Sequence, residues 1–181
     1  MMVGPTLIRS EYHGGVFGFA GWSGSGKTTL VEQVIKHLSS SGVDVATIKH
    51  AHHNFDADHR GKDSFRHRKA GARQVIVSSA QRSAHFIEHT AGEEPELKLL
   101  LGQLRPAELV LVEGFKRYPI EKIEIYRPSI GKPALYQNDP LIVALASDEL
   151  ITDCPIPVFS PSDIVGISSF ILVQTKLKQA S

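Results

Sequence analysis

Short unbroken apolar runs alternate along this chain with segments whose apolar residues recur at helical spacing. Val16 to Ala20 is the first run, stopped by Gly21, and Lys27 to Leu38 then carries Leu30, Val31, Val34, Ile35 and Leu38 on one helical face. Ser39 to Gly42 closes that helix. Val43 to Lys49 predicts a second buried strand, followed by a polar, histidine-rich loop from His50 to Gly61. Asp63 to Ala70 reads as a short helix closed by Gly71. Gln74 to Ser79 and Ser83 to Glu88 read as two strands of a hairpin joined by Ala80, Gln81 and Arg82. Glu93 to Leu104 predicts a helix with Leu97, Leu100, Leu101 and Leu104 on one side, broken by Arg105-Pro106 ahead of the strand Leu109 to Val112. Lys122 to Tyr126, Ile142 to Ala146 and Pro157 to Phe159 predict further strands, Pro128 to Pro140 a loop, and Ile164 to Lys178 a closing helix. Strands that are apolar throughout are buried on both faces, so the order predicts an α/β fold with a mostly parallel sheet, helices on both faces and an antiparallel hairpin added.

Composition narrows this picture. The 181 residues, 41% hydrophobic and 22% charged, suffice for one sizeable core, so one domain is expected over residues 1–181, with 1–15 as a flexible N-terminal extension. The 20 Lys and Arg residues nearly balance the 19 Asp and Glu residues, which offers no electrostatic case for nucleic acid or an anionic membrane. The single cysteine, Cys154, excludes an internal disulfide framework and a cysteine zinc cluster, and fits a reducing, cytoplasmic compartment. No apolar run approaches the roughly 20 residues that span a bilayer.

The chemistry concentrates in Gly21-Trp22-Ser23-Gly24-Ser25-Gly26-Lys27-Thr28, which meets the full phosphate-loop pattern between a strand and a helix. Its glycines bring backbone N–H groups to an anion at the positive end of the following helix. Lys27 is expected to reach the outer phosphates, the Thr28 hydroxyl to ligate Mg²⁺, and Thr29 to contact the inner phosphate. The expected architecture is therefore the three-layer αβα fold of P-loop nucleotide hydrolases. A dinucleotide fingerprint starting at Gly24 fails, because its third glycine falls on Thr29 and Val43 to Lys49 ends in a base.

Such a site needs an acid at a neighbouring strand end. Leu109 to Val112 runs into Glu113 and Gly114, making Glu113 the second candidate for metal binding and phosphoryl chemistry, against the reading of a strand-end acid facing solvent. Asp63 is a further candidate on the magnesium side, or a helix N-terminal residue complementing the local dipole. His50, His52 and His53, with His59 and His67 downstream, have spacings open to a metal, though no cysteine is near. With Lys49, Arg60, Lys62, Arg66, Arg68 and Lys69 the same region also reads as a cationic surface for phosphate oxygens, or as a solvated loop. Lys116 and Arg117 either extend that surface or are ordinary surface charges.

The phosphate loop stands in order with Ile48-Lys49-His50-Ala51-His52-His53, Gly61-Lys62-Asp63-Ser64, Lys69-Ala70-Gly71-Ala72 and Val112-Glu113-Gly114-Phe115-Lys116. In these blocks the chain resembles the MobB family of molybdopterin-guanine dinucleotide biosynthesis proteins. The resemblance implies a GTP-binding protein with weak, Mg²⁺-dependent GTPase activity that assists attachment of GMP to molybdopterin beside the pathway's guanylyltransferase, and it implies a homodimer. By position, the loop around Asp63 becomes a nucleotide-responsive region. The Asn/Thr-Lys-x-Asp segment with which GTPases commonly hold guanine is missing; Asp148, after the strand Ile142 to Ala146, is the candidate in its place, or a plain helix cap. Two other classes fit the same loop: a small-molecule kinase, whose arginine-rich lid is weakly represented here, and a metal-delivery GTPase using His50, His52 and His53.

Overall fold

A computed structural model describes residues 11–51, 57–89 and 94–177. These form two compact units, one of the described residues within 11–50 and 97–177, the other of those within 51–96. Glycines and prolines punctuate every element of this chain, so none singles out the joins between the units.

The first unit holds a six-stranded sheet of β1 (Gly15–Ala20), β2 (Val45–Lys49), β5 (Leu109–Glu113), β6 (Lys122–Ile125), β7 (Ile142–Ala146) and β8 (Val158–Phe159). Its order is β2-β5-β1-β6-β7-β8, and all five pairings are parallel. Alternate residues of the central strands serve opposite faces. Phe17 and Phe19 of β1 with Leu109 and Leu111 of β5 pack against α1 (Lys27–Ser40) and α4 (Ile164–Gln174), which supply Leu30, Val34, Ile167 and Ile171. Val110 and Val112 face the other way, onto Leu97 and Leu101 of α3 (Leu97–Gln103), with Phe115 and Ile120. That is the expected three-layer αβα arrangement, with β1 at the centre because both its faces are apolar.

Three boundaries differ from the sequence pattern for local reasons. The third helix starts at Leu97, not Glu93, because Pro95 forces Glu94 out of the helical region; residue 93 lies outside the described residues. The closing helix stops at Gln174, where the Thr175 hydroxyl donates back to the Ile171 carbonyl at 2.8 Å and Lys176 turns left-handed at φ 59°. Of the extension expected over 1–15, residues 1–10 lie outside the described residues, and His13 is buried with its ring 3.0 Å from the Leu101 carbonyl and accepting from the Ala107 N–H.

The second unit carries α2 (Asp63–Lys69) and the antiparallel pair β3 (Gln74–Ser78) and β4 (Ser83–Ile87), the expected hairpin. Arg68 is its hub. The guanidinium binds Asp58 at 2.7 Å, pairs with Glu88, and stands 5.7 Å from the ring centres of both Phe65 and Phe86. Asp58 also accepts from Ser64 at 2.6 Å, a bond that with Arg68 holds its carboxyl below the usual range.

Candidate functional site

The carboxyl ends of β2, β5 and β1 lie side by side, and a parallel sheet presents ligands in that crevice. Gly21 leaves β1 at φ 144°, and a β-carbon there would meet the Ile125 carbonyl oxygen at 2.6 Å and Ser25 Oγ at 2.8 Å. Only glycine fits. Gly21→Ala is expected to lower stability by about 2–3 kcal/mol and to deform the loop, read as a reduced melting temperature together with lost nucleotide binding. The loop closes on Ser25 N–H donating to the Trp22 carbonyl at 3.2 Å, and no side chain caps the N-terminus of α1. Ser23 and Gly24 are exposed at its tip, while Ser25 Oγ is buried beneath it without a hydrogen-bond partner among the described residues. An unsatisfied hydroxyl under a ring of backbone amides is costly in an isolated protein and suits a loop that rearranges around an anion.

Lys27 folds back across this loop, its Nζ donating to the Trp22 carbonyl at 2.7 Å. Burial lowers its pKa first, and the neighbouring Lys116 and Lys49 lower it further against the pull of Glu113. The Thr28 hydroxyl donates to Glu113 Oε1 at 2.8 Å, and Lys49 Nζ lies 3.3 Å from Thr28 Oγ1 and 3.5 Å from Glu113 Oε2. The register explains the cluster, since Lys49 and Glu113 are paired positions at the ends of adjacent strands. Glu113 therefore does not face solvent: its side chain is only 12% exposed. Two hard oxygen donors 2.8 Å apart, already contacted by one cation, fit a magnesium ion that keeps most of its waters. Gly114 follows at φ 100°, where a β-carbon would strike His50 Cβ at 2.7 Å, so β2 and β5 can close on each other.

On the other side of the loop, Arg127 follows β6 and pairs through Nε with Asp148 Oδ2 at 3.0 Å. Its Nη2 stands 3.8 Å from where a β-carbon on Gly26 would be. Asp148 is thus a half-exposed anion tethered beside the phosphate loop, and it caps no helix. Arg127 escaped the sequence pattern because it belongs to no phosphate motif; its one signal is a base two residues beyond the end of an apolar strand. Trp22 is held by its indole N–H donating to the Pro133 carbonyl at 2.7 Å, and Lys116 Nζ lies 4.5 Å from its ring centre. Lys116 is therefore no ordinary surface charge; burial lowers its pKa, with Glu124 opposing.

The remaining candidates are described each within its own unit, and some lie outside the described residues. Thr29 is exposed in the first turn of α1. Asp63 opens α2 in the second unit, strongly exposed, and meets Arg66 at 3.5 Å across one helical turn. His50 follows β2, its N–H donating to the Glu113 carbonyl at 2.8 Å and its ring 4.9 Å from that of Phe115. His52 and His53 lie outside the described residues, and among the described residues no three His, Cys, Asp or Glu side chains converge as a metal site. Among those residues no helix is long and apolar enough to cross a membrane.

The chain is similar to several known proteins. The family model for molybdopterin guanine dinucleotide synthesis protein B matches residues 16–148. A molybdopterin-guanine dinucleotide biosynthesis adapter protein of Escherichia coli (strain K12) is 38% identical over 174 residues, covering 94% of this chain and 95% of its own. That of Haemophilus influenzae is 42% identical over 135 residues, 74% of each chain. Among solved structures, a crystal structure of molybdopterin-guanine biosynthesis protein B superposes with a TM-score of 0.69 at 26% identity, over 88% of this chain and 99% of that one. A MobB homologue from Bacillus stearothermophilus gives 0.66 at 25% identity, over 89% and 97%.

Proposed function

The chain belongs to the molybdopterin guanine dinucleotide synthesis protein B family, and on that premise we propose that it is a GTP-binding adapter that assists formation of the guanine dinucleotide form of the molybdenum cofactor. The observation that carries the nucleotide half of this reading is the Thr28–Glu113 contact at the mouth of the glycine loop. In this reading the loop amides and Lys27 hold the β- and γ-phosphates, and Arg127 adds a third cation at the loop. Thr28 and Glu113 would hold Mg²⁺, which when bound would neutralise phosphate charge. Lys49, 3.5 Å from Glu113, would be the base nearest to that phosphate charge. Turnover is slow, because no glutamine or further arginine among the described residues of this site is placed to orient water. The protein works as a homodimer in the cytoplasm beside the guanylyltransferase, and that enzyme or the second subunit supplies what hydrolysis lacks.

Trp22 is the chain's single tryptophan and sits in the phosphate loop, so its emission reports directly on binding. GTP is expected to change it saturably in the presence of Mg²⁺, with ATP binding about tenfold or more weaker. Asp148→Asn is expected to erase that preference while leaving ATP affinity unchanged, since a carboxylate accepts both guanine N–H groups and an amide does not. Equal affinity for the two nucleotides in the wild type removes the guanine assignment. Phosphate release that rises only when the guanylyltransferase is added supports the adapter role, and release that is indifferent to it counts against that role.

A further inference from the structure

Beside the phosphate loop, and sharing Trp22 with it, a cavity of about 680 Å³ opens between residues 116–119 and 135–142. Nothing in the nucleotide reading uses it. Its volume falls in the range of small-molecule sites, which run from about 300 to 1,000 Å³.

The walls are fixed before any ligand arrives. Lys122, only 2% exposed, uses its ammonium group on the Lys116 carbonyl at 3.3 Å, the Tyr118 carbonyl at 3.1 Å and Asp139 Oδ2 at 2.9 Å. The two lips of the cavity are thereby tied to one buried charge. Tyr118 is oriented by edge contact with Phe115, ring centres 5.0 Å apart at 82°. Trp22 is oriented by its bond to the Pro133 carbonyl. Held in this way, the Tyr118 ring presents flat apolar surface at little further cost in side-chain freedom, and the Trp22 ring carries the Lys116 and Lys132 ammoniums 4.5 Å and 5.9 Å from its centre.

The charge lining the cavity is unbalanced. Asp139 is consumed, with Oδ2 on Lys122 and Oδ1 accepting from the Leu141 N–H at 3.0 Å. Lys116 has no carboxylate within ion-pair distance among the described residues and rests on the Trp22 ring, and Arg117 beside it is exposed. A half-buried ammonium whose charge is opposed by burial gains from an incoming anion. Trp22 joins the two sites, since Lys116 rests on its ring and Lys27 donates to its carbonyl at 2.7 Å, so that anion would lie beside the phosphate loop. At the rim the Asn138 amide, with no side-chain partner among the described residues, offers a donor and an acceptor to a heterocycle edge.

We propose that this cavity is a second ligand site, for a planar 2-amino-4-oxo heterocycle bearing a phosphate monoester, with its ring against Trp22 and Tyr118 and its phosphate at Lys116 and Arg117. The choice of a pterin phosphate among such molecules rests on the adapter reading above, because the pathway joins a guanine nucleotide to a pterin phosphate. The adapter then holds the two reaction partners on either side of one tryptophan.

Calorimetry on the full chain with 6-hydroxymethylpterin monophosphate tests this, with unphosphorylated pterin and GMP as comparison ligands. One equivalent is expected to bind with or without a non-hydrolysable GTP analogue present, and to bind Lys27→Ala as well as wild type. Unphosphorylated pterin and GMP are expected to bind at least about tenfold more weakly. Lys116→Gln and Tyr118→Ala are each expected to weaken the pterin phosphate by about tenfold. Asn138→Ala, at an exposed rim position where misfolding is not at issue, is expected to weaken it severalfold. Absence of saturable binding, or full affinity in all three cavity variants, overturns the proposal. Displacement by the GTP analogue with loss in Lys27→Ala overturns it too, and leaves the adapter reading standing. GMP binding as tightly with the same dependence on Tyr118 assigns the cavity to a nucleotide. Failure of GTP to bind, with pterin phosphate still bound, removes the nucleotide reading alone.

Discussion

Lys27→Ala is expected to weaken GTP binding by about 100-fold or more while leaving the melting temperature nearly unchanged. A lysine on the outer phosphates makes charge-assisted bonds of about 1.5–3 kcal/mol each, and two of them correspond to two or more orders of magnitude in affinity. The folded protein gains little from the same ammonium. It is half buried, its pKa is lowered by burial and by two neighbouring lysines, and its one bond is to the Trp22 carbonyl. Removing it relieves a desolvated charge about as much as it loses a hydrogen bond. Its depressed pKa also sets a pH dependence with a definite sign. Phosphate favours the charged form, so the pKa rises on binding. Affinity is then constant while free Lys27 is protonated, and falls as pH climbs through the lowered free-state value, beginning below the ordinary lysine pKa. Titrating Trp22 emission with GTP from neutral to alkaline pH measures this limb. In Lys116→Gln one repulsive neighbour is gone, and the limb moves to higher pH; in Lys27→Ala it is absent. Unaltered GTP affinity in Lys27→Ala sinks the phosphate-site assignment.

The parts of this site visible in the sequence are those whose spacing along the chain carries the geometry. Gly21 to Thr28 is one continuous segment of loop and helix start, and Glu113 ends an apolar run, so both are placed by the sequence itself. Even the Lys49–Glu113 contact is latent in two strands that each end on a charged residue, although their parallel pairing is not. What stayed hidden depends on elements far apart in sequence. Arg127 reaches Gly26 only because β6 lies beside β1, and the order β5-β1-β6 cannot be read from apolar runs that look alike. Lys116 and Trp22 meet across 94 positions of chain, and the cavity between 116–119 and 135–142 exists because Lys122 and Glu124, two charges in a strand of four, are buried. A Lys-x-Glu strand reads from sequence as half exposed. Its burial is the least legible feature of the fold, and it shapes the wall of a candidate site.

Glu124 is for that reason the position where a single substitution is expected to cost the most stability. It has no exposed surface; Oε1 accepts from the Leu135 N–H at 2.8 Å, and Oε2 from Leu135 at 3.0 Å and Tyr136 at 2.9 Å. Glu124→Ala leaves two buried N–H groups without an acceptor and opens a void, each orphaned donor costing about 1–3 kcal/mol. A total of about 3–5 kcal/mol is a large share of a typical folding free energy of about 5–15 kcal/mol, and corresponds to a fall in melting temperature of roughly 10 °C or more. Because the same segment carries the Pro133 carbonyl that holds Trp22, its emission should shift to the red in Glu124→Ala even below the transition. Glu124→Gln separates shape from charge. Its amide oxygen in the place of Oε2 still accepts from Leu135 and Tyr136, but its NH2 in the place of Oε1 turns a donor toward the Leu135 N–H, so stability at neutral pH should fall between wild type and Glu124→Ala. Charge has its own signature, since burial raises the pKa of Glu124 above the usual carboxylate value, against the backbone donors that lower it. A carboxyl group with a raised folded-state pKa contributes stability that is fully present below its unfolded value and lost as pH rises through the folded one. Wild type should therefore carry a component that declines across that acidic interval, and Glu124→Gln should lack it. Melting curves from pH 4 upward test both halves: a loss in Glu124→Gln as large as in Glu124→Ala would mean that the one acceptor oxygen it keeps does not hold residues 135–136 to the sheet, and an acidic decline that persists in Glu124→Gln would mean that Glu124 is not its source.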